Sequence, residues 1–222
     1  VAHLGRVDLQ EPLTRVHFEL GVGVLPADLH VADGIVEKVV MTQGRATFHD
    51  TLEDLSDLAV GLGLPSEAIR ETDVPVQVVS TGIPQMMVPV RSLDEVQKLS
   101  ADALNVAALN RACRAVGTEC VMVFTLETER PEATVHVRMF APLLGVPEDP
   151  ATGSANGALG AYLVRHQVVP VGEPTTHILS EQGAEMSRPS TLHVEVDHQD
   201  EEITGVRVGG QVVPVIEGVV RF

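Results

Sequence analysis

Between Pro147 and Gly157 the sequence reads Pro-Glu-Asp-Pro-Ala-Thr-Gly-Ser-Ala-Asn-Gly, with two carboxylates, two hydroxyls, two prolines and two glycines in one short turn. A carboxylate in such a turn can take a proton and return it. The segment that follows, Ala158 to His166, sets Leu159, Tyr162, Leu163 and His166 at helical spacing. Ser154 is a natural N-cap for that helix, so the N–H groups of Ala155, Asn156 and Gly157 point back into the turn. Unpaired N–H groups at a helix start receive anions. Upstream, Thr134 to Ala141 alternates Val135, Val137 and Met139 against His136, Arg138 and Phe140, the pattern of a half-buried strand. Strand, acidic turn and helix N-terminus together make a seat for a small acid beside Asp149. Spacing alone leaves a second reading open, in which the turn is only a turn and Asp149 a second cap.

Composition narrows what the seat serves. The formal net charge is −16, which opposes the cationic phosphate contacts that nucleic acid requires. Tyr162 is the only tyrosine and tryptophan is absent, so platforms for stacking bases are scarce. No apolar run is long enough to span a bilayer, and no membrane partner is expected. Cys113 and Cys120 read as buried, reduced thiols of a cytoplasmic protein. The nine histidines are scattered without a ligand-spaced cluster, and no Gly-rich phosphate loop is present. Neither a metal nor another cofactor is expected.

The elements that must position the turn are mostly short strands. Thr14 to Leu20 alternates, and Val24–Val31 and Ile35–Met41 flank the hairpin signal Asp33-Gly34. Thr51-Leu52-Glu53-Asp54 resembles a capping box, opening a helix that ends at Gly61 or Gly63. Pro65 and Pro75 bracket a connector taken as a domain boundary. Val76–Val79 and Met86–Val90 read as strands around the Gly82-Ile83-Pro84 turn. Ser92-Leu93-Asp94-Glu95 is a second capping box, and a longer helix is expected from about Asp102 to Val116, closed by Gly117. Further strands are expected at Val121–Leu126, His177–Leu179, Leu192–Val196 and Ile203–Val208, with Gly209-Gly210 turning a last hairpin into Gln211–Ile216. Many short strands with few helices fit an α+β architecture.

Several segments in order resemble the phenazine-biosynthesis isomerase-like (PhzF-like) family. They are Ser80-Thr81-Gly82-Ile83-Pro84, Val137-Arg138-Met139-Phe140-Ala141-Pro142, the Glu148 to Ala155 run, Gln182-Gly183 with Arg188-Pro189-Ser190, and Val206 to Gly210. The resemblance implies the diaminopimelate-epimerase-like fold, in which two domains each wrap a curved, mostly antiparallel sheet around a central helix and the active site lies between them. Residues 1–70 would be the remainder of the N-terminal domain, with 215–222 returning to it. Residues 71–214 would be the C-terminal domain, with its central helix from Ala155 to His166. The family's Gly-His-Pro-Thr turn and the strand bearing its catalytic glutamate are not found in these 222 residues. Val1 to Gly5 reads like the end of a lost helix, and the chain alone is expected to be inactive.

The resemblance also implies roles. Asp149 would work as the catalytic partner of that upstream glutamate, holding the substrate's amino or hydroxyl group or relaying a proton. Thr152 and the N–H groups of Gly153, Ser154 and Ala155 would bind the substrate carboxylate, with Thr81, Gly82, Gln182 and Arg188 as further contacts. Ala151 stands where related racemases carry a thiol, which disfavours two-thiol racemization; Gln85 stands where the family often has histidine. The expected protein is an isomerase acting on a small amino or hydroxy acid, as a homodimer. The alternative is a non-catalytic remnant or small-acid-binding subunit that kept only the carboxylate-binding half.

Overall fold

The computed structural model describes residues 5–21, 23–200, 202–213, 215, 216, 218 and 219. The proposed helix end at residues 1–4 and much of the returning segment 215–222 lie outside the described residues. The first strands follow the alternating sequence: β1 (Leu13–Leu20), β2 (Gly23–Ala32) and β3 (Ile35–Thr42) form an antiparallel meander. Asp33 and Gly34 close its hairpin with φ of 50° and 71°. β4 (Thr47–Thr51) leads to α1 (Ser56–Leu62) and α2 (Glu67–Arg70), then β5 (Gln77–Ser80), β6 (Pro84–Pro89), α3 (Leu93–Gln97) and α4 (Val106–Ala115). β7 (Val121–Thr125), β8 (Val135–Ala141) and β9 (Val146–Asp149) precede α5 (Gly153–Arg165). β10 (Thr175–Gln182), β11 (Ser190–Gln199) and β12 (Glu202–Gly210) complete the described elements.

The strands form one sheet in the order β1-β2-β3-β12-β11-β10-β8-β7-β6-β5-β4, with β9 branching from β8. Among the described residues only the β6–β7 and β10–β8 pairings are parallel. The sheet curves around α5, which touches β5 and β6 on one side and β10, β11 and β12 on the other. Ala155, Ala158, Leu159, Tyr162 and Leu163 of α5 anchor the inner core. Gly160 lets β11 come close: a Cβ there would lie 2.5 Å from Val194 Cγ1. The Tyr162 hydroxyl donates to Pro75 O at 2.6 Å, so the largest core side chain leaves no polar atom unpaired.

A second apolar cluster lies on the outer face, where α1, α3 and α4 cover β5 to β8. On β7, Met122 and Phe124 face the inner core while Val121 and Val123 face the outer one. Strands buried on both faces carry apolar residues almost continuously, as these do. β4 and α1 precede the expected domain line near residue 70. β4 pairs with β5, and Leu55, Leu58 and Leu62 share the outer cluster with Val76 and Val78.

Several local expectations are corrected. Thr51 ends β4, and α1 opens five residues later, where the Asp54 carboxylate accepts from Ser56 N–H (3.0 Å) and from the Ser56 hydroxyl (2.6 Å). Asp102 sits in a separate 3-10 turn, and α4 starts after Asn105, whose Oδ1 accepts from Ala108 N–H at 3.1 Å. The Ser92 box forms as expected, with Ser92 Oγ accepting from Glu95 N–H at 3.3 Å. Gly209 and Gly210 do not turn a hairpin; they lie inside β12, paired with Val40 and Val39. The expected central helix is α5, buried along ten consecutive residues from Ala155 to Val164, which its alanines and glycines make possible. No helix among the described residues is long and apolar enough to cross a membrane.

Candidate active site

The acidic turn lies where β9 hands over to α5. Thr152, not Ser154, is the N-cap residue, with extended backbone (φ −108°, ψ 101°); Ser154 lies inside the first helical turn. The Thr152 hydroxyl turns away from the helix and donates to Asp149 Oδ2 at 2.5 Å. The cap is therefore made without a side-chain bond to the helix. Asn156 N–H bonds the Thr152 carbonyl at 3.1 Å, while the N–H groups of Gly153, Ser154 and Ala155 find no acceptor among the described residues. These three free donors, with the helix dipole behind them, favour an anion by about 0.3–1 kcal/mol when exposed and up to about 2 kcal/mol when partly buried.

Gln182 holds the turn from the end of β10. Its Nε2 donates to Asp149 O (2.6 Å) and to Thr152 Oγ1 (3.1 Å). Its Oε1 accepts from Thr152 N–H (3.1 Å) and Asn156 Nδ2 (2.9 Å). Every polar atom of this buried amide is therefore used within the turn, and Gln182 braces Asp149 and Thr152 rather than offering a free group to a ligand. Asn156, four residues beyond Thr152, was not expected to take part through its side chain. Its position one helical turn after the cap is the signal that could have marked it.

Thr81, Gly82 and Ser154 meet in a cleft of about 250 Å³ that also takes in Leu25, Gln43 and Gly44. Thr81 Oγ1 donates to Ser154 O at 3.3 Å, and Gly44 N–H bonds Thr81 O at 3.0 Å. Nothing in the local pattern of residues 43 and 44 pointed to the site; their closeness comes from backbone bonds just past the end of β3, Gln43 N–H to Val206 O and Gly44 N–H to Thr81 O. Asp149 is half-buried at the same end of α5 but does not line this cleft. Arg188 is exposed, and its guanidinium makes no hydrogen bond or ion pair among the described residues. Gln85 is buried within the sheet.

Behind the turn, β8 departs from the expected pattern: all seven of its residues are buried. His136 lies fully buried between Glu181 Oε1 on Nδ1 and Glu185 Oε1 on Nε2, each at 2.8 Å. Two carboxylates facing both ring nitrogens require both to carry hydrogen, which is the imidazolium. Burial alone would lower its pKa, but the bonds to Glu185 and Glu181 outweigh it and hold His136 above its ordinary value. Burial likewise pushes both carboxyls up, and is outweighed: at Glu181 by the Glu129 N–H, His136 and Arg130, at Glu185 mainly by His136, so both sit below the ordinary range. The sign follows by linkage. The His136 contribution to stability is fully present below the unfolded value of about 6.5 and is lost as pH rises through the higher folded value. Melting curves from pH 6 to 9 should therefore show the wild-type midpoint falling as His136 deprotonates, and a flatter profile in His136→Gln; equal slopes would mean that His136 does not titrate there.

A curved, mostly antiparallel sheet around one buried helix, with an acidic turn at that helix's N-terminus, is an α+β arrangement. The sequence matches the phenazine biosynthesis-like protein family over residues 3–218, and the chain belongs to that family. It is 32% identical to an uncharacterized isomerase of Clostridium acetobutylicum over 97% of this chain and 71% of that one. It is 30% identical to the uncharacterized isomerase YddE of Escherichia coli over 79% of this chain, spanning 58% of that relative's length. It is 29% identical to the trans-2,3-dihydro-3-hydroxyanthranilate isomerase of Pseudomonas fluorescens over 88% of this chain and 63% of that one. The fold is that of a PhzF-family protein of Bacillus anthracis, with a TM-score of 0.81 at 24% identity over 94% of this chain and 68% of that one. It is also that of a hydroxyproline epimerase from Agrobacterium vitis, with a TM-score of 0.62 at 18% identity over 95% of this chain and 60% of that one.

Proposed function

We propose that this chain carries the carboxylate-binding half of an isomerase that moves a proton on a small amino or hydroxy acid without a cofactor. The observation that carries the reading is the set of free N–H groups at Gly153, Ser154 and Ala155, placed beside the braced carboxylate of Asp149. The substrate carboxylate sits on those donors, with Thr81, Gly82 and Ser154 as the wall of the cleft. A glutamate from a segment outside these 222 residues takes the C–H proton. Asp149, at the same end of α5 beside those donors, holds the substrate's amino or hydroxyl group or relays the proton. The names of the isomerase relatives support this reading over that of a non-catalytic remnant.

The proposal divides the complete protein into two domains and makes it a cytoplasmic homodimer. Exposed Phe18 and Leu20, which share one face of β1, support a covered face there, which sedimentation of the complete protein checks. Activity is tested by incubation in D₂O with trans-2,3-dihydro-3-hydroxyanthranilate, proline and hydroxyproline, reading deuterium incorporation by mass spectrometry. The chain extended by the in-frame upstream coding sequence should exchange at least one of these acids, and residues 1–222 alone should exchange none. Absence of exchange in the extended chain favours the binding-subunit reading.

A further inference from the structure

Asp149 and Glu148 are neighbours at the end of β9, and a strand sends successive side chains to opposite faces. Asp149 pairs across the ladder with Met139, whose side chain belongs to the inner core. Glu148 turns to the outer face and meets Arg138. Arg138 Nε donates to Glu148 Oε1 at 2.8 Å and Nη2 to Oε2 at 2.7 Å, a two-pronged grip. The rest of the guanidinium is fixed as well. Nη1 donates to the carbonyls of Val96 (3.2 Å) and Leu99 (2.5 Å), and the head lies 5.1 Å from the centre of the Phe140 ring. The two side chains are only 4% and 5% exposed.

A pair this deeply buried contributes little more to stability than apolar residues of the same volume would, because removing both charges from water is costly. Its distinctive property is directional: a bidentate guanidinium–carboxylate contact fixes orientation as well as distance. β9 needs such a fix. It has four residues, it branches from the side of the sheet, and its register against β8 slips between Met139 and Ala141. We propose that Glu148 is a positioning residue: the Arg138–Glu148 pair pins β9 from the outer face and thereby sets where Asp149 stands at the start of α5. Gln182 pins the same turn from the inner face through Asp149 O, so the carboxylate hangs between two anchors. Glu185, whose Oε1 meets His136, places Oε2 at 4.0 Å from Arg138 Nε, the outer limit of an ion pair, without a hydrogen bond to it. The proposal rests on the reading of Asp149 as the proton-handling group.

The test uses the chain with its upstream coding sequence and the variants Glu148→Gln, Glu148→Asp and Arg138→Gln/Glu148→Gln. The Asp149 carboxyl ¹³C resonance, identified by its loss in Asp149→Asn, should move in Glu148→Gln and return part of the way in Glu148→Asp. Amide exchange in residues 146–156 should rise about tenfold or more in Glu148→Gln while β11 keeps its protection, the pattern of a local opening. Turnover in the deuterium assay should fall about 10–100-fold with KM little changed, as expected for a misplaced reacting group. If the unpaired Arg138 prevents Glu148→Gln from folding, the doubly neutral variant takes the same measurements. A folded variant in which the Asp149 resonance and the local exchange both stay at wild-type values overturns the proposal, as does a loss confined to the melting temperature. Failure of the Asp149 reading shows separately, as full turnover in Asp149→Asn, and leaves the resonance and exchange results to be read alone.

Discussion

Asp149→Asn is expected to lower turnover by about 10²–10⁴-fold, the range that a positioned acid or base contributes, while the melting temperature changes little. The substitution removes one property and keeps the others. An amide oxygen can accept the Thr152 hydroxyl as the carboxylate does, so the contact at 2.5 Å has a successor. The bond from Gln182 goes to the Asp149 backbone carbonyl and does not depend on the side chain. The free N–H groups of Gly153, Ser154 and Ala155 are backbone donors and remain in place. What is lost is the charge and the ability to hold and return a proton. The measurement is deuterium exchange into the substrate by the complete protein, set beside a thermal melt of both forms. Wild-type turnover in the variant would make Asp149 a turn residue, serving only to receive Thr152.

Much of the scaffold was legible because local chemistry sets it. The Asp33-Gly34 hairpin, the Ser92 cap and the Gly63 and Gly117 helix ends depend on residues within one turn of chain, and they form where the spacing places them. The helix starts near Thr51 and Asp102 were misplaced for the opposite reason. The Thr51 start rests on a cap signal and the Asp102 start on apolar periodicity, but β4 pairing with β5 holds Thr51 extended, and Asn105 caps α4 in place of any residue near Asp102. The candidate site divides in the same way. The turn and the helix N-terminus lie within one continuous segment and were read from it. The brace from Gln182, the wall formed by Gln43 and Gly44, and the burial of His136 and Arg138 come from segments tens of residues away. Alternation on β8 could not show that α3 and residues 181–185 cover its polar face, because an ion-paired buried face and a solvated face use the same residue types.

The largest structural effect is expected from Gly183→Ala. Gly183 follows Gln182 and has φ of +83°, a left-handed conformation that costs an L side chain about 1–2 kcal/mol. Space is a second and separate obstacle. An added Cβ would lie 2.5 Å from Arg188 O and 2.6 Å from Pro150 O, and both are backbone atoms that no side-chain rotation can move. Overpacking of this kind costs about a further 1–3 kcal/mol. Together these predict a loss of about 2–5 kcal/mol, which in a protein of this size lowers the melting temperature by about 5–15 °C. Relief requires the chain to separate Gly183 from Pro150, and Pro150 is the residue after Asp149. The strain therefore falls on the turn that Gln182 braces, and a displacement of about 1 Å there is enough to reduce turnover about 10²-fold. Gly82→Ala is the control for stability, since Gly82 has no atom within 4 Å of an added Cβ. Calorimetry of the two variants, with turnover measured below both transitions, separates the effects. A Gly183→Ala protein that melts and turns over like wild type would mean that the 183–188 loop yields freely and does not hold the Asp149 turn.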